Sequence, residues 1–352
     1  MFEKDLKQYL HFFSSKIFNI LRYSSRLYIL PVVFIFPSNQ CNYDCFMCSY
    51  RKSRIRDIEW MDFSLMEKII TECSKLKFKP LLHFSGQGEP LIYPEIRNVM
   101  QTCKKRKMKW SITTNGYLLE QFAEDLVSNN CYAINVSIHG NAFENDKITG
   151  VSGSYDRAVR SIKKLEEIKI RHKKKTPLIA INCVINDYNV THLLDMLDSF
   201  LELPVNSIDF AHLHFSENDI KGQVDSPNPA VIRKKNLQEL INFNSYIERT
   251  NFPINTFFYP KIQNKDLFGY YTNRYHNFSS RVNESCNFPW LTVFVKPNGS
   301  VCCCSKEIGN LRNSSLKDII NSKHAIEFRE RVRKGIEPKP SGCFRCPHKH
   351  YY

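Results

Sequence analysis

Short apolar runs with strand-like alternation recur through the first two thirds of the chain, each followed by a stretch in which apolar residues return at helical spacing. Strands are expected at 32–36, 81–85, 109–114, 132–139, 178–186 and 207–214, with helices at 64–76, 94–105, 119–128, 155–170 and 191–201. Strands alternating with helices in this way form successive βα units, whose strands pair in parallel. Six units therefore predict one parallel sheet covered by helices.

Period-two reading shows which positions share a face. Along 132–139, Asn135, Ser137 and His139 lie on one face and Ile134, Val136 and Ile138 on the other. In 178–186, Asn182 and Asn186 oppose Ile181, Cys183 and Ile185. A parallel strand covered on both sides ordinarily reads as continuous apolar sequence. A satisfied core amide would account for any one of these polar residues. Their recurrence towards the C-terminal ends of two strands, where barrel sites form, points to a polar ligand. The alternation of 207–214 is ambiguous, and no contact is assigned from it. Ahead of the sheet, within 1–30, Leu6, Leu10, Phe13, Ile17 and Leu21 recur among Lys4, Lys7, Lys16 and Arg22, the pattern of an amphipathic helix. Packing against the sheet is its expected use, and peripheral contact with an acidic membrane surface the second. The longest apolar run, 27–36, is too short to span a bilayer and contains Pro31.

The chemistry enters directly after the first strand. Cys41, Cys45 and Cys48 stand in Cys-Asn-Tyr-Asp-Cys-Phe-Met-Cys, and three such thiolates can bind three irons of a four-iron cubane. A cubane normally takes four cysteines, so a compact triplet leaves one iron open to another ligand. Zinc also suits short cysteine spacings, but a closed zinc site would have to recruit His83 or His139 from afar. The 13 cysteines are odd in number and clustered, unlike a secreted disulfide framework. Together with the lack of a signal-peptide pattern, this makes the cytoplasm the expected location.

The triplet and its spacing resemble the radical S-adenosylmethionine (radical SAM) superfamily. The resemblance implies a partial (β/α)6 TIM-type barrel over 31–215. It also implies a 4Fe-4S cluster whose open iron binds S-adenosylmethionine, and reductive cleavage of that molecule to a 5'-deoxyadenosyl radical. An electron donor of flavodoxin or ferredoxin type is implied as well. The run Ser85-Gly86-Gln87-Gly88-Glu89-Pro90 is similar to the family's glycine-glycine-glutamate-proline element, with Gln87 in place of one glycine. On this likeness Gly86, Gln87, Gly88 and Glu89 are expected at the methionine end of S-adenosylmethionine. Thr113-Thr114-Asn115-Gly116 and Val136-Ser137-Ile138-His139-Gly140 match two further family segments, which carries over Asn115 and Ser137 as cofactor contacts. His139 replaces the usual acidic residue and is read either as a proton carrier or as a structural imidazole. Asn182, with Asn186 beside it, fits a ribose contact.

Beyond the barrel, Cys286 precedes an apolar strand at 291–295, a Pro297-Asn298-Gly299 turn, and Ser300-Val301-Cys302-Cys303-Cys304; Cys343 and Cys346 close the series. This resembles the Twitch form of the SPASM auxiliary-cluster domain, over 285–352, a small hairpin and helix appendage. A full SPASM domain carries further cysteines after the last pair, so one auxiliary 4Fe-4S cluster is expected, held by Cys286, Cys304, Cys343 and Cys346. Cys302 and Cys303 are the substitutes for Cys304, and a zinc ribbon is the competing reading. Cys73, Cys103, Cys131 and Cys183 read as small buried residues.

Between barrel and appendage, 216–284 reads as a connecting, substrate-covering segment. A fully thiolate-ligated second cluster suits acceptance of an electron from a substrate radical. The expectation is therefore an oxidoreductase with a dehydrogenase-like reaction on a small polar molecule of carbohydrate or nucleotide-sugar type. The net charge of +15 would suit an anionic group on it. The densest basic runs lie at 104–109, 169–175 and 329–334, and the first two read chiefly as helix ends. Radical modification of a ribosomally made peptide, by epimerisation or thioether formation, is the alternative. A zinc-containing nucleic-acid-binding protein is the alternative of another class, and it leaves the barrel repeat and the Cys41 loop unexplained.

Overall fold

Val32, Val33 and Ile35 in β1 (Val32–Ile35) and all of β2 (Leu81–Phe84) are buried, as strands inside a covered parallel sheet require. The computed structural model describes residues 24–48, 58–212, 232–259, 262–272, 288–304, 306–334 and 336. The expected strand series continues as β3 (Trp110–Thr114), β4 (Ala133–Ser137), β5 (Leu178–Ile185) and β6 (Ser207–His212). The expected helices are at Phe63–Lys75, Ile96–Lys105, Leu119–Ser128, Ser154–Arg171 and Leu193–Leu201. Asp62 caps the first of these by accepting from the Leu65 amide at 2.8 Å, and Leu65, Met66, Ile69, Ile70 and Cys73 form its buried stripe. The basic runs at 104–109 and 169–175 begin in the last turns of helices Ile96–Lys105 and Ser154–Arg171, where cations complement the helix dipole.

The sheet is larger than six strands. β7 (Asn255–Tyr259) adds in parallel beside β6, and β8 (Thr292–Val295) adds in parallel on the other side of β1. β9 (Ser300–Cys303) and β10 (Lys306–Asn310) follow β8 as antiparallel neighbours. The order is β10-β9-β8-β1-β2-β3-β4-β5-β6-β7, and the barrel is open. The C-terminal hairpin thus continues the barrel sheet: Val32 is opposite Thr292 and Ile35 opposite Val295, and the Phe36 amide donates to the Val295 carbonyl at 2.9 Å.

Ile134, Val136, Ile181, Ile208 and Phe210 face the helices within the hydrophobic core that also holds Phe84, Trp110 and Phe200. Cys73, Cys103, Cys131 and Cys183 are fully buried in that core, as expected of small apolar residues. The alternate residues of each strand face the barrel interior. Among the described residues no helix is long and apolar enough to cross a membrane. The expected amphipathic helix within 1–30 falls almost wholly on residues outside those described, as do Cys286, Cys343 and Cys346.

Candidate functional site

The Cys41 loop leaves β1 through Pro37 and is held from three directions. Asn39 accepts from the Glu59 amide at 3.0 Å, and the Gln40 carbonyl accepts from the Glu89 amide at 2.8 Å. The amides of Asp44 and Phe46 donate to the Thr149 and Ile148 carbonyls at 3.1 and 3.2 Å. Those carbonyls belong to helix Ala142–Thr149, which the apolar pattern did not predict. Within the loop the Tyr43 amide donates to Cys41 Sγ at 3.4 Å, and the Cys48 amide to the Cys45 carbonyl at 3.0 Å. All three thiols are partly exposed. Tyr43 is buried edge-on to Tyr117, and burial pushes its phenol up. Phe46 packs on Tyr188.

The glycine turn after β2 fits closely against this loop. A Cβ on Gly86, whose φ is +112°, would fall 2.1 Å from the Phe36 ring, and one on Gly88 would fall 2.1 Å from the Gln40 carbonyl oxygen. Gln87 occupies the position between them that has room for a side chain. Glu89 is buried, and its carboxylate is fully engaged. Oε1 accepts from the Leu91 amide at 3.0 Å and the Thr114 hydroxyl at 2.8 Å, while Oε2 accepts from the Asn115 amide at 2.7 Å. Burial raises its pKa to about 7, against the lowering by these donors. Asn115 then reaches the loop, its Nδ2 lying 2.8 Å from Asn42 Oδ1 and 3.7 Å from Cys41 Sγ. Cys41, the turn and the end of β3 are therefore joined through one carboxylate and one amide.

Inside the barrel the polar positions form two lateral rows. Ser137, Asn182 and Asp209 are neighbours on β4, β5 and β6; Thr113, Asn135, Ala180 and Ser207 form the next row towards the strand N-termini. The side chains of Asn135, Ser137 and Asn182 have no hydrogen-bond partner among the described residues. Asn135 Oδ1 and Ser207 Oγ are buried as well, and each such atom costs about 1–3 kcal/mol if left dry. His83 is satisfied instead, by Ser111 at 2.8 Å and Thr113 at 3.0 Å, and burial pulls its pKa down to about 3.

His139 has the structural role of the two considered. Its Nδ1 accepts from the Val184 amide at 3.1 Å, its own amide donates to Asn145, and its carbonyl accepts from Asn189. Burial pulls its pKa down to about 4, so the ring is neutral. Asn186 is fully buried and caps the following turn, accepting from the Tyr188 amide at 3.0 Å. Sequence reasoning missed Asn145 and Asn189, which hold His139, and Ser207 and Asp209, which belong to the interior face.

In the hairpin, Gly299 turns the chain at φ +89°. Cys302 and Cys303 are buried, and Cys303 Sγ lies 3.5 Å from the Pro289 carbonyl. Cys304 leaves the strand at φ +55° and is partly exposed. Among the described residues no three His, Cys, Asp or Glu side chains converge on a single-ion position; a cubane asks each thiolate for a separate iron. The residues present fit such a group: three accessible thiols on one pinned loop, with Cys41 Sγ already receiving N–H donors of the kind that cluster thiolates accept.

An open parallel βα barrel with a three-cysteine loop after its first strand defines an iron-sulfur protein built on the barrel framework. Residues 35–197 match the radical SAM superfamily, and residues 286–347 match SPASM, an iron-sulfur cluster-binding domain. The chain thus carries a radical SAM domain and a SPASM iron-sulfur cluster-binding domain. The two domains imply a 4Fe-4S cluster that binds S-adenosylmethionine, with auxiliary iron-sulfur ligation at the C-terminal end. Fe-coproporphyrin III synthase of Methanosarcina barkeri is 26% identical over 190 residues, which cover 53% of this chain and 45% of that protein. The chain thus spans about half the length of that curated relative, and of others it matches. GTP 3',8-cyclase of Clostridium perfringens is 24% identical over 313 residues, 86% of this chain and 88% of that protein. Among solved structures, Streptococcus suis SuiB bound to S-adenosylmethionine is similar with a TM-score of 0.65 at 18% identity, covering 95% of this chain and 74% of SuiB. SuiB bound to its precursor peptide SuiA is similar with a TM-score of 0.64 at 19% identity, covering 92% and 71%. These structures share the fold.

Proposed function

We propose that the chain is a radical SAM enzyme that oxidises a small hydroxylated molecule of carbohydrate or nucleotide type. Cys41, Cys45 and Cys48 hold the 4Fe-4S cluster, and Cys304, together with Cys286, Cys343 and Cys346, holds the auxiliary one. The cluster and S-adenosylmethionine, once bound and reduced, supply a 5'-deoxyadenosyl radical able to take hydrogen from an unactivated C–H bond. The protein's own contribution is to orient and to keep water out. The glycine turn brings backbone within reach of the Cys41 loop, Glu89 and Asn115 keep turn and loop in register, and Ser137 and Asn182 offer hydrogen bonds from the barrel wall.

The observation that carries this reading is the row of polar side chains Ser137 and Asn182 on the interior face of the barrel that bears the Cys41 loop, with Asn135, whose Oδ1 is buried without a hydrogen-bond partner, one row deeper. Buried polar groups are ordinarily paired, so such a row suits a polar ligand. The extended likeness to a GTP 3',8-cyclase, named for a small hydroxylated substrate, supports the same class. The test is anaerobic reconstitution with iron, sulfide, S-adenosylmethionine and dithionite. Formation of 5'-deoxyadenosine is expected, and stimulation by a hydroxylated candidate with transfer of its deuterium into that product identifies the substrate class. Absence of 5'-deoxyadenosine from protein carrying its full iron complement would overturn the reading.

The second reading is radical modification of a ribosomally made peptide, favoured by the fold shared with SuiB, a protein crystallised with its precursor peptide. Deuterium transfer from a peptide encoded beside the gene, and from no small molecule, would decide for it.

A further inference from the structure

Strands β1 to β5 run parallel in neighbouring order, so the segments that enter them lie at one end of the barrel and the Cys41 loop at the other. At the entry end, 75–80, 104–109 and 171–177 lead into β2, β3 and β5. They carry three, five and four Lys or Arg respectively, and no Asp or Glu. Side chains join these entries into one floor. Lys79 Nζ donates to the Arg106 carbonyl at 3.0 Å, Lys109 Nζ stands 3.4 Å from the centre of the Tyr132 ring, and Lys174 Nζ donates to Asn130 Oδ1 at 2.8 Å. Glu124 pairs with Arg171 and His172 and offsets one charge. The entry to β6, 202–206, brings Glu202 and no cation, so the basic face ends at β5.

The helix dipole accounts for cations in a last turn and fades beyond it. Lys77, Lys79, Lys107, Lys109, Lys173 and Lys175 all lie past the helix caps. Three large apolar side chains are exposed at the same end, Tyr28 at 73%, Phe78 at 48% and Ile170 at 69%. We infer that this floor is a docking surface for a bilayer rich in anionic lipid, on which the barrel sits with the Cys41 loop turned away. All the cations of the three entries except Arg106 and Arg171 are Lys, a hydrated point charge suited to diffuse attraction by an anionic surface, whereas phosphates read one by one favour the Arg fork. Ile170 has no planar face on which a base could stack. All three apolar side chains, set among cations, suit the headgroup boundary. Residues 1–23 join the barrel at this end through 24–31, and Leu6, Leu10, Phe13, Ile17 and Leu21 recur in them among lysines. A second apolar and basic stretch thus meets the chain where the floor lies. The contact is peripheral, since among the described residues no helix can cross a membrane.

The test uses the full-length reconstituted holoenzyme and flotation with vesicles of phosphatidylcholine, with or without about one third phosphatidylserine. Binding is expected only to the anionic vesicles, weakening at least about tenfold between about 0.1 and 0.5 M salt. Lys105→Glu with Lys107→Glu should weaken it at least about tenfold. Phe78→Ser with Ile170→Ser, which leaves the net charge unchanged, should weaken it about fivefold. Arg160→Glu with Lys163→Glu, exposed on the flank of helix Ser154–Arg171, changes the net charge as much as the lysine pair and should alter binding less than about twofold. Iron content and the 5'-deoxyadenosine formed with dithionite should be those of the parent in every variant. The inference is overturned if neither vesicle binds, if both bind alike, or if a short single-stranded RNA binds more tightly than the anionic vesicles. It is also overturned if the floor variants bind as the parent does, which would assign the contact to residues 1–23, if the flank pair loses as much as the floor pair, or if iron content falls in step with binding. Vesicle binding needs no substrate, so the outcome is separate from that of the proposed function.

Discussion

Two places in the molecule carry three cysteines within eight residues, and they present them in opposite ways. Cys41, Cys45 and Cys48 are spread along a loop, and all three thiols are partly exposed. Cys302, Cys303 and Cys304 are consecutive at the end of β9; the first two are buried and only the third is partly exposed. Successive strand residues point to opposite faces, so a run of adjacent cysteines in a strand cannot converge, whereas a loop with intervening residues can turn each thiol the same way. Spacing and local backbone, more than number, decide which cysteines are available as ligands. The positive φ of Cys304, where the strand ends, frees one thiol from the alternation.

The largest effect should come from the loop. Replacing Cys41, Cys45 or Cys48 by Ala is expected to remove about four irons per chain and to reduce 5'-deoxyadenosine formation to background, read by iron analysis and chromatography. Full iron retention in all three variants would abolish the distinction between loop and strand. At the hairpin, Cys304→Ala should remove a second set of about four irons, whereas Cys302→Ala and Cys303→Ala keep it. The latter two should instead lose about 1 kcal/mol of stability, because each leaves a small cavity in packed core. Loss of iron from Cys303→Ala with retention in Cys304→Ala would reverse the assignment.

A smaller effect is expected at the joint between loop and turn. Glu89→Gln puts an amide N–H₂ against at least one of the donors that the carboxylate now accepts, from Leu91, Thr114 or Asn115. A cost of about 1–3 kcal/mol follows. The raised pKa of Glu89, about 7, also gives the parent a pH signature. The folded protein binds this proton more tightly than the unfolded chain does. The corresponding stability is complete below the ordinary glutamate pKa and is lost as pH rises through about 7. Urea denaturation between pH 4.5 and 8 should show that decline in the parent and a flatter profile in Glu89→Gln. Parallel profiles would mean that the carboxylate remains charged when buried.

The contrast between local and distant pairing also explains what could be read from the chain alone. The Cys41 loop, the glycine turn and the six βα strands are local patterns, and each lies within a few residues of its expected place. The docking of β8 on β1 joins residues some 260 positions apart, and no local period encodes it. Helix Ala142–Thr149 has apolar residues only at Ala142, Phe143 and Ile148 and forms no stripe; caps at Asn141 and Gly150 and the loop resting on it hold it in place. In β6, Ser207, Asp209 and Ala211 face inward, but His212 on the outward side obscures the alternation. It is accommodated there by Tyr271, 2.7 Å from its Nδ1, and by stacking on Phe258. The same limit applies to His139, whose structural role rests on the Val184 amide of the neighbouring strand.

The finest test concerns a side chain that reaches from the barrel rim to a loop thiol. Asn115 Nδ2 lies 3.7 Å from Cys41 Sγ, which also receives the Tyr43 amide. Hydrogen bonds to cluster sulfurs stabilise the reduced, more negative state and raise the potential. Asn115→Ala removes one donor while leaving the backbone amide that Glu89 accepts. The midpoint potential of the loop cluster, read by EPR-monitored titration without S-adenosylmethionine, should fall by roughly tens of millivolts, with iron content unchanged. Asn115→Asp replaces the donor with a negative charge beside the thiolate and should lower it further. The hairpin cluster, whose partly exposed Cys304 has no such link to Asn115, should keep its potential in both variants. An equal shift in both clusters would show that the substitution acts through the sheet as a whole, and the loop would lose its distinction as a separately tuned site.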